Sequence, residues 1–409
     1  MGAGISYVIH SGGSLKGRTN VPGDKSVSHR AILLGALAEG TSYLPGWLKA
    51  EHTKASLKAI QTLGVPVKWS YDRIFKDEIL TITGGTLIPP KQHLYLGRTA
   101  TGLRLLAGIL SGQQFASVLD GEPQLRNRPM GRILEPLQKM GANIKGSNGY
   151  PPLYIQPSSL KGISYSMKIP SAQVKSAILL AGLFAKGTTV VTQPSPCRDH
   201  TERMLQAMGA DIEIEHNTIV LRPGKSLSPL HIKIPGDFSS AAFLIIAALL
   251  LPESDIIVEG VNLNPTRTGL LEVLYEMKAD ISVVPSTYVG GEYVGEIQVR
   301  HSQLKGVHIK GEMVGRMIDE FPALMVASLF AEGETLVQGA EELRVKESDR
   351  ISAMVKEIEK LGGKIQEFRD GFCIKGPQQL KGTVLTPPPD HRTVMSLTVA
   401  GLKAKGSTI

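Results

Sequence analysis

The sequence predicts an α/β protein of two domains, each assembled from copies of one mixed helix-and-strand unit. Three observations carry that expectation. A phrase recurs six times at a spacing of about 70 residues. Five of the six copies are followed by a second amphipathic helix that runs into an alternating strand. Two Pro-Gly-Asp joints, at 22–24 and 235–237, stand three copies apart.

The recurring phrase reads GALAEGTSYLPG at 35–46, AGILSGQQFASVLDG at 107–121 and AGLFAKGTTVVTQ at 181–193. It returns as AALLLPESDIIVEG at 247–260, ASLFAEGETLVQG at 327–339 and AGLKAKGSTI at 400–409. Each copy is an apolar helix end rich in small residues, a Gly-type stop and a β-rich run. The abundance of Ala and Gly predicts close packing of these helices against a sheet. The second halves are LKAIQTLGVPVKW, ILEPLQKMGANIKG, MLQAMGADIEIE, LLEVLYEMKADISVV and MVKEIEKLGGKIQE. In each, apolar residues fall at helical spacing, Gly or an equivalent stops the helix, and an alternating strand follows. The sixth copy reaches Ile409 at the start of its β run, so the sixth repeat is expected to be incomplete, with an open edge or uncovered apolar surface. The Pro-Gly joints read as chain crossings between two pseudo-equivalent domains of three units each. One domain then comprises residues 23–236, and the other residues 1–22 with 237–409.

Composition narrows the function. Hydrophobic residues are 42% and charged residues 20% of 409, which argues against disorder. The run AAFLIIAALLL at 241–251 is too short for a bilayer and is expected to be a buried helix. Two cysteines, Cys197 and Cys373, fit a reducing compartment without a disulfide framework. Cys197 lies beside Arg198, yet no partner pattern supports a reactive thiol, and an ordinary cysteine is expected. Gly2 and Ser6 match a myristoylation pattern by letters, which reads as chance. Lys and Arg number 45 against 37 Asp and Glu, a formal charge of +8, while aromatics are only 5%. That balance favours small anions over a nucleic-acid partner. No HExxH or paired-cysteine pattern predicts a metal site.

Charged residues collect at repeat edges. Lys25, Ser26 and Arg30 open the first helix in GDKSVSHR, where free N–H groups and the helix dipole favour anions. Gly97 to Ala100 precede another helix in LGRTATG, and Arg128 stands before Pro129 at a helix entrance. Ser171, Ala172 and Gln173 begin the helix of KIPSAQVKSAILL, with Arg198 further on. Asp319 and Glu320 precede an apolar helix, as helix-start stabilisers or as a general base. Lys346, Glu347 and Arg350 fall within about one turn, with Ser348 available as an N-cap. Asp390 and Arg392 precede the sixth helix. If these helix starts converge, their cations exceed what one anion needs, so two anionic substrates are expected.

PGDKSVSHRAILLGALAEG, LRNRPMGRILEPLQKMGA, IPSAQVKSAILLAGL, GDFSSAAFLIIAALL, LRVKESDRISAM and DHR resemble the EPSP synthase family over essentially the whole chain. The resemblance implies an enolpyruvyl transferase-like fold of six βαβαββ repeats, three per domain, with domains that close around the substrates. It implies transfer of the enolpyruvyl group of phosphoenolpyruvate to the 5-hydroxyl of shikimate 3-phosphate, with release of phosphate, in the shikimate pathway. It implies no cofactor, no metal, no nucleic-acid or membrane partner, a monomer, and a cytoplasmic location. Lys25, Ser26, Arg30, Ser171, Gln173, Arg198 and Lys346 would serve shikimate 3-phosphate. Arg128, Arg350 and Arg392 would hold phosphoenolpyruvate, helped by Lys25, Gln173 and the Gly97–Ala100 backbone. Asp319 would take the hydroxyl proton, and Glu347 and Lys25 would exchange protons with carbon.

Three departures from the family pattern stand out. Arg98 replaces a common Asn, and Ala172 replaces a frequent Ser. Ala100 replaces a common Gly, as in glyphosate-tolerant members, so weakened glyphosate inhibition is expected. Two alternatives remain: a non-catalytic anion or nucleic-acid binder, and the related UDP-N-acetylglucosamine enolpyruvyl transferase. The latter's reactive-cysteine loop has no counterpart in GEPQLRNRPMG.

Overall fold

One left-handed residue closes the second helix of each complete repeat. The computed structural model describes residues 6–73 and 77–409, so Gly2 lies outside the described residues. Helices Glu51–Thr62, Gly131–Lys139, His200–Ala207, Gly269–Glu276 and Arg350–Lys360 are those five second helices. Their stops are Gly64 (φ +87°), Gly141 (+93°), Gly209 (+85°), Lys278 (+67°) and Gly362 (+84°). A positive φ turns the chain back over the helix end, and glycine adopts it without a Cβ penalty. Lys278 is the one non-glycine among these five. The strands that follow are Val67–Asp72, Asn143–Ser147, Asp211–Glu215, Asp280–Val289 and Gln366–Phe368.

The chain divides into two compact units. One holds residues 22–235 together with 288–293, and the other holds residues up to 21, 236–287 and 294–409. The turn at 288–293, which the sequence pattern places with 237–409, therefore groups with 22–235. Each unit has its own apolar core.

In the 22–235 unit, two sheets share one plan. They run Leu94–Tyr95, Ser117–Asp120, Tyr150–Gln156, Asn143–Ser147 and Ser164–Ser166, Thr189–Thr192, Thr218–Arg222, Asp211–Glu215. The first pair in each is parallel and the others are antiparallel. The sheet of Thr41–Pro45, Asp77–Thr83 and Val67–Asp72 lacks such a first strand in its own repeat. Residues 230–234 fill that edge: Tyr43 N–H donates to Leu230 C=O at 2.8 Å, and Ile234 N–H donates to Pro45 C=O at 2.8 Å. At the joint, Asp24 N–H donates to Pro235 C=O at 2.7 Å. Gly23 is required there, because a Cβ would lie 2.2 Å from the Gly46 carbonyl.

The other unit is closed in the same way. Strand Lys16–Asn20 pairs in parallel with Asp255–Asn262, which continues to Glu292–Arg300 and Asp280–Val289. A second sheet orders His308–Ile309, Gly333–Val337, Gly371–Gly376 and Gln366–Phe368. In the last repeat, Lys381 bridges Lys405 and Ile9 bridges Thr408. Val384, Met395 and Ile409 stay exposed there.

The first helices of the first five repeats are largely buried, including Phe238–Leu250, which contains most of the 241–251 run. Their small residues do more than meet a sheet. A Cβ on Gly108 would lie 2.3 Å from the Ala177 carbonyl, so helix Ala100–Ser111 packs directly on helix Ala172–Gly182. No helix among the described residues is long and apolar enough to cross a membrane.

Candidate active site

Three helices begin with cations, against the preference of their own dipoles. Lys25 and Arg350 are the first residues of Lys25–Leu37 and Arg350–Lys360, and Arg392 is second in His391–Lys403. Each helix is capped by an aspartate. Asp24 accepts from Val27 N–H at 2.9 Å, Asp349 from Ser352 N–H at 3.1 Å, and Asp390 from Arg392 N–H at 3.0 Å. The cap expected at Ser348 belongs instead to Asp349, which directly precedes the first helical residue. The Ser348 hydroxyl donates to Asp390 at 3.3 Å.

In the unit holding 236–287 and 294–409, Arg350 is a hub. Its guanidinium reaches Asp319 at 2.8 Å, Glu347 at 2.7 Å and Asp390 at 3.0 Å. Arg392 meets the other Asp319 oxygen at 3.2 Å. Arg350 and Arg392 are buried while Asp319 and Glu347 are partly open. Burial opposes the Arg350 charge, but the three carboxylates outweigh it and hold the guanidinium protonated more firmly than an ordinary arginine. Lys346 lies 3.4 Å from Glu342, and burial lowers its ammonium from the usual lysine range. The structure therefore brings together Asp319, Glu347, Arg350 and Arg392, with Lys346 on the same approach to the helix.

The 22–235 unit carries the second set. Lys25 and Ser26 are half-buried on the opening turn. Arg30 is buried, and donates to Thr201 Oγ1 at 2.7 Å, Ser176 Oγ at 2.9 Å and the Ser26 carbonyl at 3.0 Å. Burial lowers its pKa to about 10. Thr99 caps helix Ala100–Ser111 by accepting from Gly102 N–H at 3.1 Å, which sets Ala100 as its first residue, 7% exposed. Arg98 pairs with Glu122 at 2.6 Å. Arg128 is half-buried in the bend between helices Pro123–Arg126 and Gly131–Lys139. Ser171 is the N-cap residue of Ala172–Gly182, and its hydroxyl makes no capping bond. Gln173 Nε2 donates to Thr101 Oγ1 at 2.8 Å. Arg198 is half-buried beside Cys197. The Cys197 thiol is buried, donates to Gln193 Oε1 at 3.2 Å, and is pushed up by burial, as an unreactive cysteine should be.

Three further cations are buried or half-buried; the sequence marks Lys175 one turn into its helix and passes over the other two. Lys175 is enclosed, 2.6 Å from Glu202. Arg267 donates to Ser239 Oγ at 2.7 Å and to Asp237 at 3.2 Å, and Ser239 in turn bonds Glu320. Arg104 donates to Gln173 and to the Pro129 carbonyl. Arg267 and Arg104 sit in a loop and a helix without a local motif, so only the tertiary contacts reveal them.

The model of the family described as EPSP synthase (3-phosphoshikimate 1-carboxyvinyltransferase) matches residues 9–409. The chain belongs to the EPSP synthase family. Curated relatives named 3-phosphoshikimate 1-carboxyvinyltransferase agree. That of Thermodesulfovibrio yellowstonii is 47% identical over 411 residues, covering 99% of this chain and 94% of the relative. That of Desulforamulus reducens is 44% identical over 407 residues, with 99% and 94% covered. The solved EPSP synthase of Acinetobacter baumannii superposes with a TM-score of 0.87 at 43% identity, covering 98% of this chain and 92% of that one. This EPSP synthase family enzyme thus has the two-domain enolpyruvyl transferase fold of its relatives.

Proposed function

We propose that the protein transfers the enolpyruvyl group of phosphoenolpyruvate to the 5-hydroxyl of shikimate 3-phosphate and releases phosphate. The observation that carries the reading is the set of cations standing at helix starts, where they cost stability and where an anion would relieve them. Family membership supplies the identity of the anions.

Lys25, Ser26, Arg30, Ser171, Gln173 and Arg198, with Lys346, receive shikimate 3-phosphate in this reading. Arg128, Arg350 and Arg392 receive phosphoenolpyruvate. Arginine suits both its carboxylate and its phosphate through paired N–H donors. Arg30 already spends part of its fork on Thr201, Ser176 and Ser26, so it meets substrate from a fixed orientation.

The reaction needs one proton placed on the methylene carbon and one removed from the attacking hydroxyl. Glu347, with Lys25, supplies the first, leaving cationic character on the adjacent carbon. Asp319 takes the second as the hydroxyl oxygen bonds that carbon. The tetrahedral intermediate then loses a methyl proton and its phosphate together. Fixed cations stabilise the phosphate as charge collects on it. The Ala100 methyl at the head of its helix is read as crowding glyphosate more than the shorter phosphoenolpyruvate.

Purified protein given both substrates should release inorganic phosphate, and either substrate alone should release none. Silence with both substrates bound would favour a non-catalytic anion binder. Release with UDP-N-acetylglucosamine in place of shikimate 3-phosphate would favour the related transferase.

A further inference from the structure

Arg104 lies one turn into helix Ala100–Ser111, and no motif marks it. Its Nη1 donates to Gln173 Oε1 at 2.5 Å, and its Nη2 donates to the Pro129 carbonyl at 3.0 Å. Gln173 sits in the first turn of another helix, and its amide nitrogen returns to Thr101 Oγ1 at 2.8 Å. Pro129 directly follows Arg128. A single guanidinium therefore joins three segments that are distant in sequence: the helix start at Ala100, the Gln173 turn, and the bend that carries Arg128.

The bonding pattern also fixes which way Gln173 faces. Its carbonyl oxygen is held by a cation and its nitrogen by a hydroxyl, so a flipped amide would set N–H against N–H. Charge-assisted bonds to a planar fork are directional, and a lysine would have to serve both acceptors from one nitrogen without that fixed plane.

We propose that Arg104 is a positioning residue for the anion site of the 22–235 unit, setting the orientation of the Gln173 amide and the placement of Arg128. It contacts no substrate in this scheme. It acts through Arg128, read above as receiving phosphoenolpyruvate, and Gln173, which the family resemblance places beside both substrates, so the inference rests on that reading. Shikimate 3-phosphate should depend on it less, because Arg30 is held by Thr201, Ser176 and the Ser26 carbonyl, and Lys25 and Ser26 open a different helix.

The test measures phosphate release for wild type, Arg104→Gln, Arg104→Lys, Gln173→Ala and the double variant Arg104→Gln with Gln173→Ala, with melting temperatures alongside. Arg104→Gln should raise KM for phosphoenolpyruvate about tenfold, in line with loss of a charge-assisted bond, and raise KM for shikimate 3-phosphate less. Arg104→Lys, which keeps a charge but not the fork, should fall between the two. Gln173→Ala should cost much less on the Arg104→Gln background than in wild type, since coupled residues are non-additive. A residue that only supports the fold would lower the melting temperature and multiply independently with Gln173→Ala, and that result overturns the proposal. An unchanged KM for phosphoenolpyruvate in Arg104→Gln overturns it too. If Arg104→Gln fails to fold, Arg104→Lys decides: an unchanged KM ratio between the two substrates refutes the proposal. Inactive wild type would refute the functional reading instead, which keeps the two failures apart.

Discussion

Arg350 Nη1 lies 2.8 Å from Asp319 Oδ1, so a proposed base and a proposed anion receptor hold each other in place. Arg392 takes the second Asp319 oxygen at 3.2 Å. Asp319→Asn keeps the shape and removes the charge. It is expected to lower kcat on the order of 100-fold or more, as loss of a general base does. Phosphate release at saturating substrate checks this. Arg350→Gln leaves three carboxylates facing one another and should destabilise the fold by about 3–5 kcal/mol, read from denaturant midpoints.

Ala100 heads its helix, and its methyl is read above as crowding glyphosate. Ala100→Gly is expected to tighten glyphosate inhibition by about tenfold or more, the scale of relieving an overpacked contact, while KM for phosphoenolpyruvate changes little. Inhibition curves at fixed phosphoenolpyruvate decide it. Equal inhibition of both proteins removes the methyl as an explanation.

Lys278 is exposed and held at φ +67°, where the four equivalent stops are glycines. Lys278→Gly loses no buried contact and relieves a left-handed side chain. It should stabilise the protein by about 1 kcal/mol, raising the melting temperature by roughly 2 °C. A lower melting temperature would show that the lysine is favourable there.

His29 is buried between Ser56 Oγ at 3.0 Å and Thr99 Oγ1 at 3.4 Å. Burial, then the charges of Lys25, His52 and Arg30, hold its pKa well below the ordinary 6.5. The unfolded chain gains this proton first as pH falls, so it binds more protons than the folded chain. The contribution to stability is whole above the unfolded value and declines as pH drops below about 6.5. Urea midpoints for wild type should fall between about pH 7 and pH 5, and His29→Asn should fall less steeply. Equal slopes would assign the acid sensitivity elsewhere.

The repeat pattern was legible because helix period and Gly stops are local. Gly64, Gly141, Gly209 and Gly362 announce their turns in the sequence, and the Lys278 turn was legible through the four repeats that resemble it. The cations at helix starts were legible as well, since Asp24, Lys25, Asp390 and Arg392 adjoin recognisable caps. What was not legible is tertiary. Ser348 and Asp349 both suit an N-cap, and only the position of the first helical residue decides between them. Gly108 looked like a sheet contact and meets another helix. Arg104 and Arg267 carry no motif, and each gains its meaning from partners far along the chain. The edge strand at 230–234 has too few residues to declare which of several sheets it completes.

Because Asp24 N–H and Pro235 C=O share a hydrogen bond, the 22–235 stretch begins and ends at one doorway, while the turn at 288–293 visits its unit separately. Every strand of that unit finds its neighbour without reference to where the backbone was first cut. Joining the two threads at that doorway and opening a surface loop instead would preserve each pairing while reversing the order in which the pieces leave the ribosome. Natural duplication and recombination can use such a layout as readily as an engineer can.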